Sequence, residues 1–191
     1  MNTNILSPED YQSMPWKNGL GTTVEIAKEN LPRQDTFAWR LSMADVGNDG
    51  PFSNFKGYDR TLLLLEGRGI TLSHSNGHID ILDAPLQSVE FRGEAETFAT
   101  LLEGPIVDFN VMVFRSRCGA SVETSLGGEI SLNVDADVFL VHSVSGDLNI
   151  TFSSGESLQL NAKHTLIVNE VQDANVLCTG GSFISVSIIR R

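Results

Sequence analysis

Short segments with apolar side chains at every second position recur through this chain, separated by clusters of Gly, Asn, Asp and Ser, at a spacing of roughly 8 to 15 residues. Between Phe37 and Ala44 the residues Phe37, Trp39, Leu41 and Met43 share one face, with Arg40 and Ser42 opposite. Val107, Phe109, Val111 and Val113 likewise oppose Asp108 and Asn110, and Thr23 shares a face with Glu25. A period of two is that of a β-strand, because successive Cβ atoms leave opposite sides of the pleat. Helical periodicity is scarce, so the chain reads as an all-β sandwich or barrel. The polar face of such a strand points to water in an open sheet and lines an internal cavity in a closed one.

Leu62 to Leu65 is continuously apolar, as expected where both faces of a strand are covered. A turn at Glu66-Gly67-Arg68-Gly69 follows, and then Ile70-Thr71-Leu72. The same unit of apolar strand, Gly turn and strand returns at Val138 to Val144, Ser145-Gly146-Asp147 and Leu148 to Phe152, which suggests two copies of one β module. Arg115 to Gly128, rich in Ser, Gly and charge, is the best candidate for a connector between them.

Of the 191 residues, 24 are Asp or Glu and 13 are Lys or Arg, for a net charge of -11. That balance repels nucleic acid and anionic lipid, so neither is an expected partner. The start, MNTNILSPED, has no basic n-region and no apolar core of signal-peptide length, and no apolar run approaches the ~20 residues that span a bilayer. A cytoplasmic location without membrane contact is the expectation. Cys118 and Cys178 lack metal-type spacing and read as reduced, buried thiols.

His74 and His78 are spaced for a metal only if they lie on a helix, whereas Ser73-His74-Ser75-Asn76-Gly77-His78 has turn composition. They read as solvated loop histidines, His142 as a partly buried structural residue, and His164 as the start of a strand. No nucleophile elbow is present, and neither Cys neighbours a His. Gly19-Leu20-Gly21-Thr22-Thr23 matches neither a P-loop nor a dinucleotide fingerprint. A tight turn into a strand explains the glycines but leaves Trp16, Lys17 and Asn18 without a purpose, so one wall of a ligand site stays open as a reading. Gly50 to Gly57 is a loop by composition, and its Phe52 and Phe55 are expected to fold back over a hydrophobic opening.

Trp16-Lys17-Asn18-Gly19 with Gly21, Thr23 and Glu25, then Trp39-Arg40-Leu41-Ser42, Gly50-Pro51-Phe52-Ser53 with Gly57, Asp59 and Arg60, Leu65-Glu66-Gly67, and Asp108-Phe109-Asn110 together resemble the HutD/Ves family. The resemblance implies an all-β, cupin-like double β-barrel (bicupin), with an N-terminal barrel over 1–116 carrying the site, a C-terminal half over 117–191, and strands that exchange between halves. From about residue 125 the strands alternate cleanly but carry Ser, Asn and Thr at their polar positions and few convergent charges, so that part reads as mainly scaffold. It implies association with histidine utilisation and no established catalytic activity. Metal-binding cupins carry a His-x-His pair, a Glu shortly after it and a Gly further on. With Gly67 taken as that Gly, the Glu position falls on Arg60 and the His positions on Asn54 and Lys56, or on Ser53 and Phe55. No metal and no other cofactor is therefore expected, and a guanidinium at the Glu position clamps an anion instead.

The resulting expectation is a small carboxylate metabolite of histidine degradation held by Arg40 and Arg60. Trp16 forms an aromatic wall, and Lys17, Asn18, Gly19, Thr23, Glu25, Ser42, Asp108 and Asn110 complete the site. Permanent neutralisation of an arginine by Asp59, Asp108 or Glu25 is the internal alternative. Two functional rivals remain: an isomerase or hydrolase with Glu25 or Asp108 as base, and a protein that docks an enzyme of the pathway. A homodimer is a further expectation, since cupins pair through sheet edges.

Overall fold

Antiparallel pairing between strands distant in sequence organises the chain, described here by a computed structural model over residues 2–16, 21–32 and 36–191. Two units emerge, one of Met1–Asp10 with Cys118–Arg191 and one of Tyr11–Arg117. The strands in chain order are β1 (Asn2–Leu6), β2 (Gln12–Pro15), β3 (Gly21–Asn30), β4 (Phe37–Val46), β5 (Gly50–Pro51), β6 (Tyr58–Glu66), β7 (Ile70–His74), β8 (Ile79–Leu82), β9 (Ser88–Arg92), β10 (Thr97–Leu101), β11 (Ile106–Phe114), β12 (Cys118–Ser125), β13 (Gly128–Phe152), β14 (Ser157–Leu160) and β15 (Thr165–Arg190).

In the unit of Tyr11–Arg117 a six-stranded sheet runs β2-β3-β4-β11-β6-β9 and a four-stranded sheet runs β5-β10-β7-β8. Leu62 and Leu64 of the first sheet and Ile70, Leu72, Leu82 and Ala99 of the second meet in one apolar cluster. Leu62, Leu63 and Leu64 are each at most 1% exposed, as the unbroken apolar run requires.

The other unit repeats this order of strands. β13 and β15 are long paths that change register, β13 between Val134 and Ala136 and again from Ser143 to Leu148. Residues 128–134 and 148–152 flank 174–180, and 157–160 pair with 148–152, which gives a four-stranded arrangement. Residues 138–142 lie between 165–169 and 184–188, with β12 beyond the latter and β1 beyond the former. The sequence of pairings matches β4-β11-β6-β9 and β5-β10-β7-β8 strand for strand. Gly67 (φ 101) and Gly146 (φ 72) occupy the corresponding turns, where a left-handed backbone favours glycine.

Cys118–Ser125, expected to be part of a connector, is instead a strand paired along its length with β15. Its small and polar residues carry no alternating apolar signal, and the segment between β11 and β12 shortens to Arg115–Arg117. The first ten residues, grouped by sequence with the N-terminal half, pair through β1 with β15.

The unit completed by Cys118–Arg191 has a filled interior that includes Phe139, Val141, Phe152 and Phe183. Cys178 lies in this cluster, and both cysteines are buried, reduced thiols. His142 is 3% exposed, with Nδ1 2.9 Å from Thr165 Oγ1, more deeply enclosed than the sequence suggests. Burial holds its imidazole down at about 4, against an ordinary 6.5. A depressed folded value contributes stability above pH 6.5 that is lost as pH falls toward 4. Relative to His142→Gln, the parent protein is expected to lose up to about 3 kcal/mol across that window, measured as denaturant midpoints.

Candidate functional site

Three register rows cross the six-stranded sheet and put the polar residues of four strands on one face. Lys28, Arg40, Met112 and Arg60 are partners across β3, β4, β11 and β6. Glu25, Ser42, Asn110 and Leu62 form the next row, and Thr23, Ala44, Asp108 and Leu64 the one after. Alternation along each strand brings Arg40 and Ser42 to the same side as Asp108 and Asn110. These polar faces line a cavity of about 530 Å³, closed further by Met14, Pro15, Trp16, Val46, Pro51, Phe52, Ser53 and Phe55.

Trp16 folds back from the end of β2. Its indole Nε1 donates to Thr23 Oγ1 at 2.8 Å, and its backbone N–H donates to Gly21 O at 2.9 Å. A Cβ at Gly21 would collide with Asp45 O and come within 2.9 Å of the Trp16 ring. Gly21 therefore allows the indole to lie against the strand. Gly21→Ala is expected to displace Trp16 and cost about 1–3 kcal/mol, read as a shifted tryptophan emission in a Trp39→Phe background and a lower denaturant midpoint. Lys17, Asn18 and Gly19 lie outside the described residues.

Arg60 is 7% exposed. Its Nη2 donates to Asn110 Oδ1 at 2.7 Å and its Nη1 to Ser53 O at 3.5 Å, a marginal length. Phe52, Phe55 and Phe91 surround the guanidinium at 5.1, 5.6 and 5.0 Å from their ring centroids. Arg40 sits 4.9 Å from the Phe37 ring and 5.3 Å from that of Phe55, and Nη2 reaches Met112 Sδ at 3.4 Å. Among the described residues, Nε of each arginine is buried without a hydrogen-bond partner. Burial lowers both guanidinium values, that of Arg60 to about 10, with Asp108 opposing the fall and Arg40 adding to it. Glu25 opposes the fall at Arg40.

Asp108 is 2% exposed and accepts a hydrogen bond from Asn110 Nδ2 at 2.5 Å. Asn110 thus turns its amide oxygen to Arg60 and its amide nitrogen to Asp108. Burial pushes the Asp108 carboxyl up to about 7, with Arg60 and Asn110 opposing and Asp45 reinforcing the rise. Glu25 is buried but is not part of the cavity lining, and its Oε1 lies 2.9 Å from Lys28 Nζ.

The internal alternative of a direct carboxylate partner for Arg60 resolves residue by residue. Asp59 turns the other way and holds Arg92 and Arg115, each at 2.7 Å. Glu25 contacts Lys28 and acts on Arg40 through its charge, and Asp108 is hydrogen-bonded to Arg60 through Asn110. The aromatic cage includes Phe91, which the sequence reading passed over because Glu90-Phe91-Arg92 carries a single apolar residue in a polar stretch.

His74 corrects another expectation. It is 8% exposed, with Nδ1 2.9 Å from Thr97 Oγ1 and Nε2 3.0 Å from Asp80 Oδ2, and its ring packs 5.3 Å from that of Phe91. It closes β7, whose inward positions Ile70, Leu72 and His74 follow the period of two, whereas His78 stays at the surface. Ser53 and Phe55, at one pair of cupin His positions, do line the cavity beside Arg60. That donor set of hydroxyl, ring and guanidinium suits an anion, and no group of three metal-ligating side chains occurs among the described residues.

The sequence profile of HutD matches residues 8–186. The chain belongs to the HutD family. A protein of Pseudomonas putida, described as an uncharacterized 21.2 kDa protein in the hutC 3' region, is 32% identical over 187 residues, 98% of this chain and 97% of its own. Protein Ves of Citrobacter koseri is 34% identical over 82% of this chain and 84% of its own. Among solved structures, HutD from Pseudomonas fluorescens SBW25 superposes with a TM-score of 0.87 at 31% identity over all of both chains. PA5104 of Pseudomonas aeruginosa PAO1, a conserved protein of unknown function, gives 0.89 at 34% over 99% of this chain and 100% of its own. At 8% identity, a glyoxylate-induced protein of Pseudomonas aeruginosa still gives 0.68 over 99% of this chain and 89% of its own, a likeness of fold alone. The HutD-family chain is thus all-β with cupin-like neighbours.

Proposed function

We propose that this HutD-family protein binds a small carboxylate metabolite of histidine degradation and limits or reports flux through that pathway. One observation carries the reading: a buried arginine, Arg60, and a half-buried one, Arg40, line the same cavity, and the Nε–H of each has no hydrogen-bond partner among the described residues. An enclosed guanidinium is stabilised by an anion, and its planar fork matches a carboxylate bidentately. The related Pseudomonas fluorescens protein is named HutD. The hut association of that protein and of the Pseudomonas putida relative supports the choice of pathway. We read the two units as a double cupin-like barrel, divided near residues 116 and 117, with the cavity in the N-terminal barrel. The repeated strand order supports this division.

A thermal-shift screen of the carboxylate intermediates of histidine breakdown tests the proposal. A true ligand at 100 times its dissociation constant adds about 2.7 kcal/mol. A screen with no stabilising intermediate would sink it. The second reading, an isomerase or hydrolase, draws support from Asp108, because a carboxyl near neutrality suits general acid–base work. Conversion of an intermediate by purified protein, lost in Asp108→Asn, would favour it.

A further inference from the structure

We propose that Asp108 is the proton partner of the anion site: a carboxylate docking at Arg60 and Arg40 is taken up together with a proton on Asp108. The inference rests on the carboxylate reading and adds to it the charge state in which the site is occupied.

The geometry carries the argument. Asp108 and Arg60 line the same cavity and are joined by one amide, Arg60 Nη2 to Asn110 Oδ1 at 2.7 Å and Asn110 Nδ2 to Asp108 Oδ1 at 2.5 Å. The charged groups acting on Asp108 are Arg60 of β6 and Asp45 of β4, whereas Arg40 of β4 has Glu25 of β3 as its carboxylate neighbour and Lys28 offsets Glu25. In the empty site, ionised Asp108 is the carboxylate that acts on Arg60. An incoming carboxylate takes over that role at closer range. The Asp108 charge then faces a like charge in a buried setting, which favours its neutral form. One proton from solvent binds the Asp108 carboxylate, and no bond forms between ligand and protein.

Protonated Asp108 then keeps one oxygen for Asn110 and offers an O–H donor. Occupants whose second polar group is an acceptor, a carbonyl or another carboxylate, fit this state better than those carrying an ammonium. Burial already holds Asp108 near neutrality, so uptake falls in an accessible pH range. Since the complex binds one more proton than its separated parts, affinity falls as pH rises through and above neutrality.

The test is a titration of the Asp108 side-chain carbon by NMR in the parent protein, with formate, acetate or glutarate present and absent. The Arg60 Nε–H signal is followed in the same samples to report occupancy. The expected result is a higher Asp108 midpoint with the acid bound, together with an affinity that falls by up to about tenfold per pH unit and is pH-independent in Asp108→Asn. An Arg60 signal that responds while the Asp108 midpoint stays put overturns proton coupling and leaves the carboxylate reading standing. Failure of both signals to respond to all three acids overturns the two together.

Discussion

Arg60→Ala is expected to weaken carboxylate binding by about 2 to 5 kcal/mol, the range for removing one side of a buried charge pair in a complex. The empty protein is expected to lose on the order of 1–2 kcal/mol, from the contacts of the guanidinium with Phe52, Phe55 and Phe91. This loss is smaller than the roughly 3 to 5 kcal/mol of a broken buried ion pair, because Arg60 reaches Asp108 only through Asn110. The carboxyl left behind takes a proton near neutral pH rather than remaining charged and alone. Denaturant midpoint and ligand affinity measured on the same variant decide the matter. A stability loss of about 3 kcal/mol or more with affinity unchanged would assign Arg60 a purely internal role.

Stability as a function of pH gives the second large effect. Asp108 moves from an ordinary 3.8 to about 7 on folding, so between those values the folded chain holds a proton that the unfolded chain has lost. Its contribution is fully present below pH 3.8 and is lost as pH rises through 7, by up to about 4 kcal/mol for a shift of some three units. His142 has the opposite slope between pH 4 and 6.5 and masks the loss in the parent protein alone. The measurement is therefore a difference: Asp108→Asn is expected to gain relative to the parent steadily from about pH 4 to pH 7 and to run parallel above it. Parallel curves throughout would show that the carboxyl ionises in its ordinary range.

Much of this site was visible before the fold. The period of two placed Arg40 and Ser42 opposite Trp39 and Leu41, and Asp108 and Asn110 opposite Phe109 and Val111. The register rows then bring Arg40, Ser42, Asp108 and Asn110 to one cavity. Phe52 and Phe55 betrayed themselves as bulky apolar residues in a loop that had to pack somewhere. Partners set by pairing between distant strands were not legible. Asp59 neighbours Arg60 in sequence, yet alternation sends it to the other face, where Arg92 and Arg115 wait. His74 continues the period of two of Ile70 and Leu72, and Phe91 that of Val89, but turn composition and polar neighbours masked both short signals, and the residues that enclose them come from other strands. The duplication was legible only in its central hairpin, since β12 and the bends of β13 and β15 carry small and polar residues that mute the alternation.

The repeated strand order also bears on how such a protein changes over generations. Arg60 and Phe139 each stand seven residues ahead of the turn glycine of their copy, Gly67 and Gly146. One position faces a hollow with a guanidinium, and the other fills the interior with a ring. Duplication has separated two demands that compete within a single copy, to be solid and to be empty. Under the proposed carboxylate reading, a lineage that altered Arg60 or Asp108 would change what its protein recognises while leaving the Phe139 interior as it was.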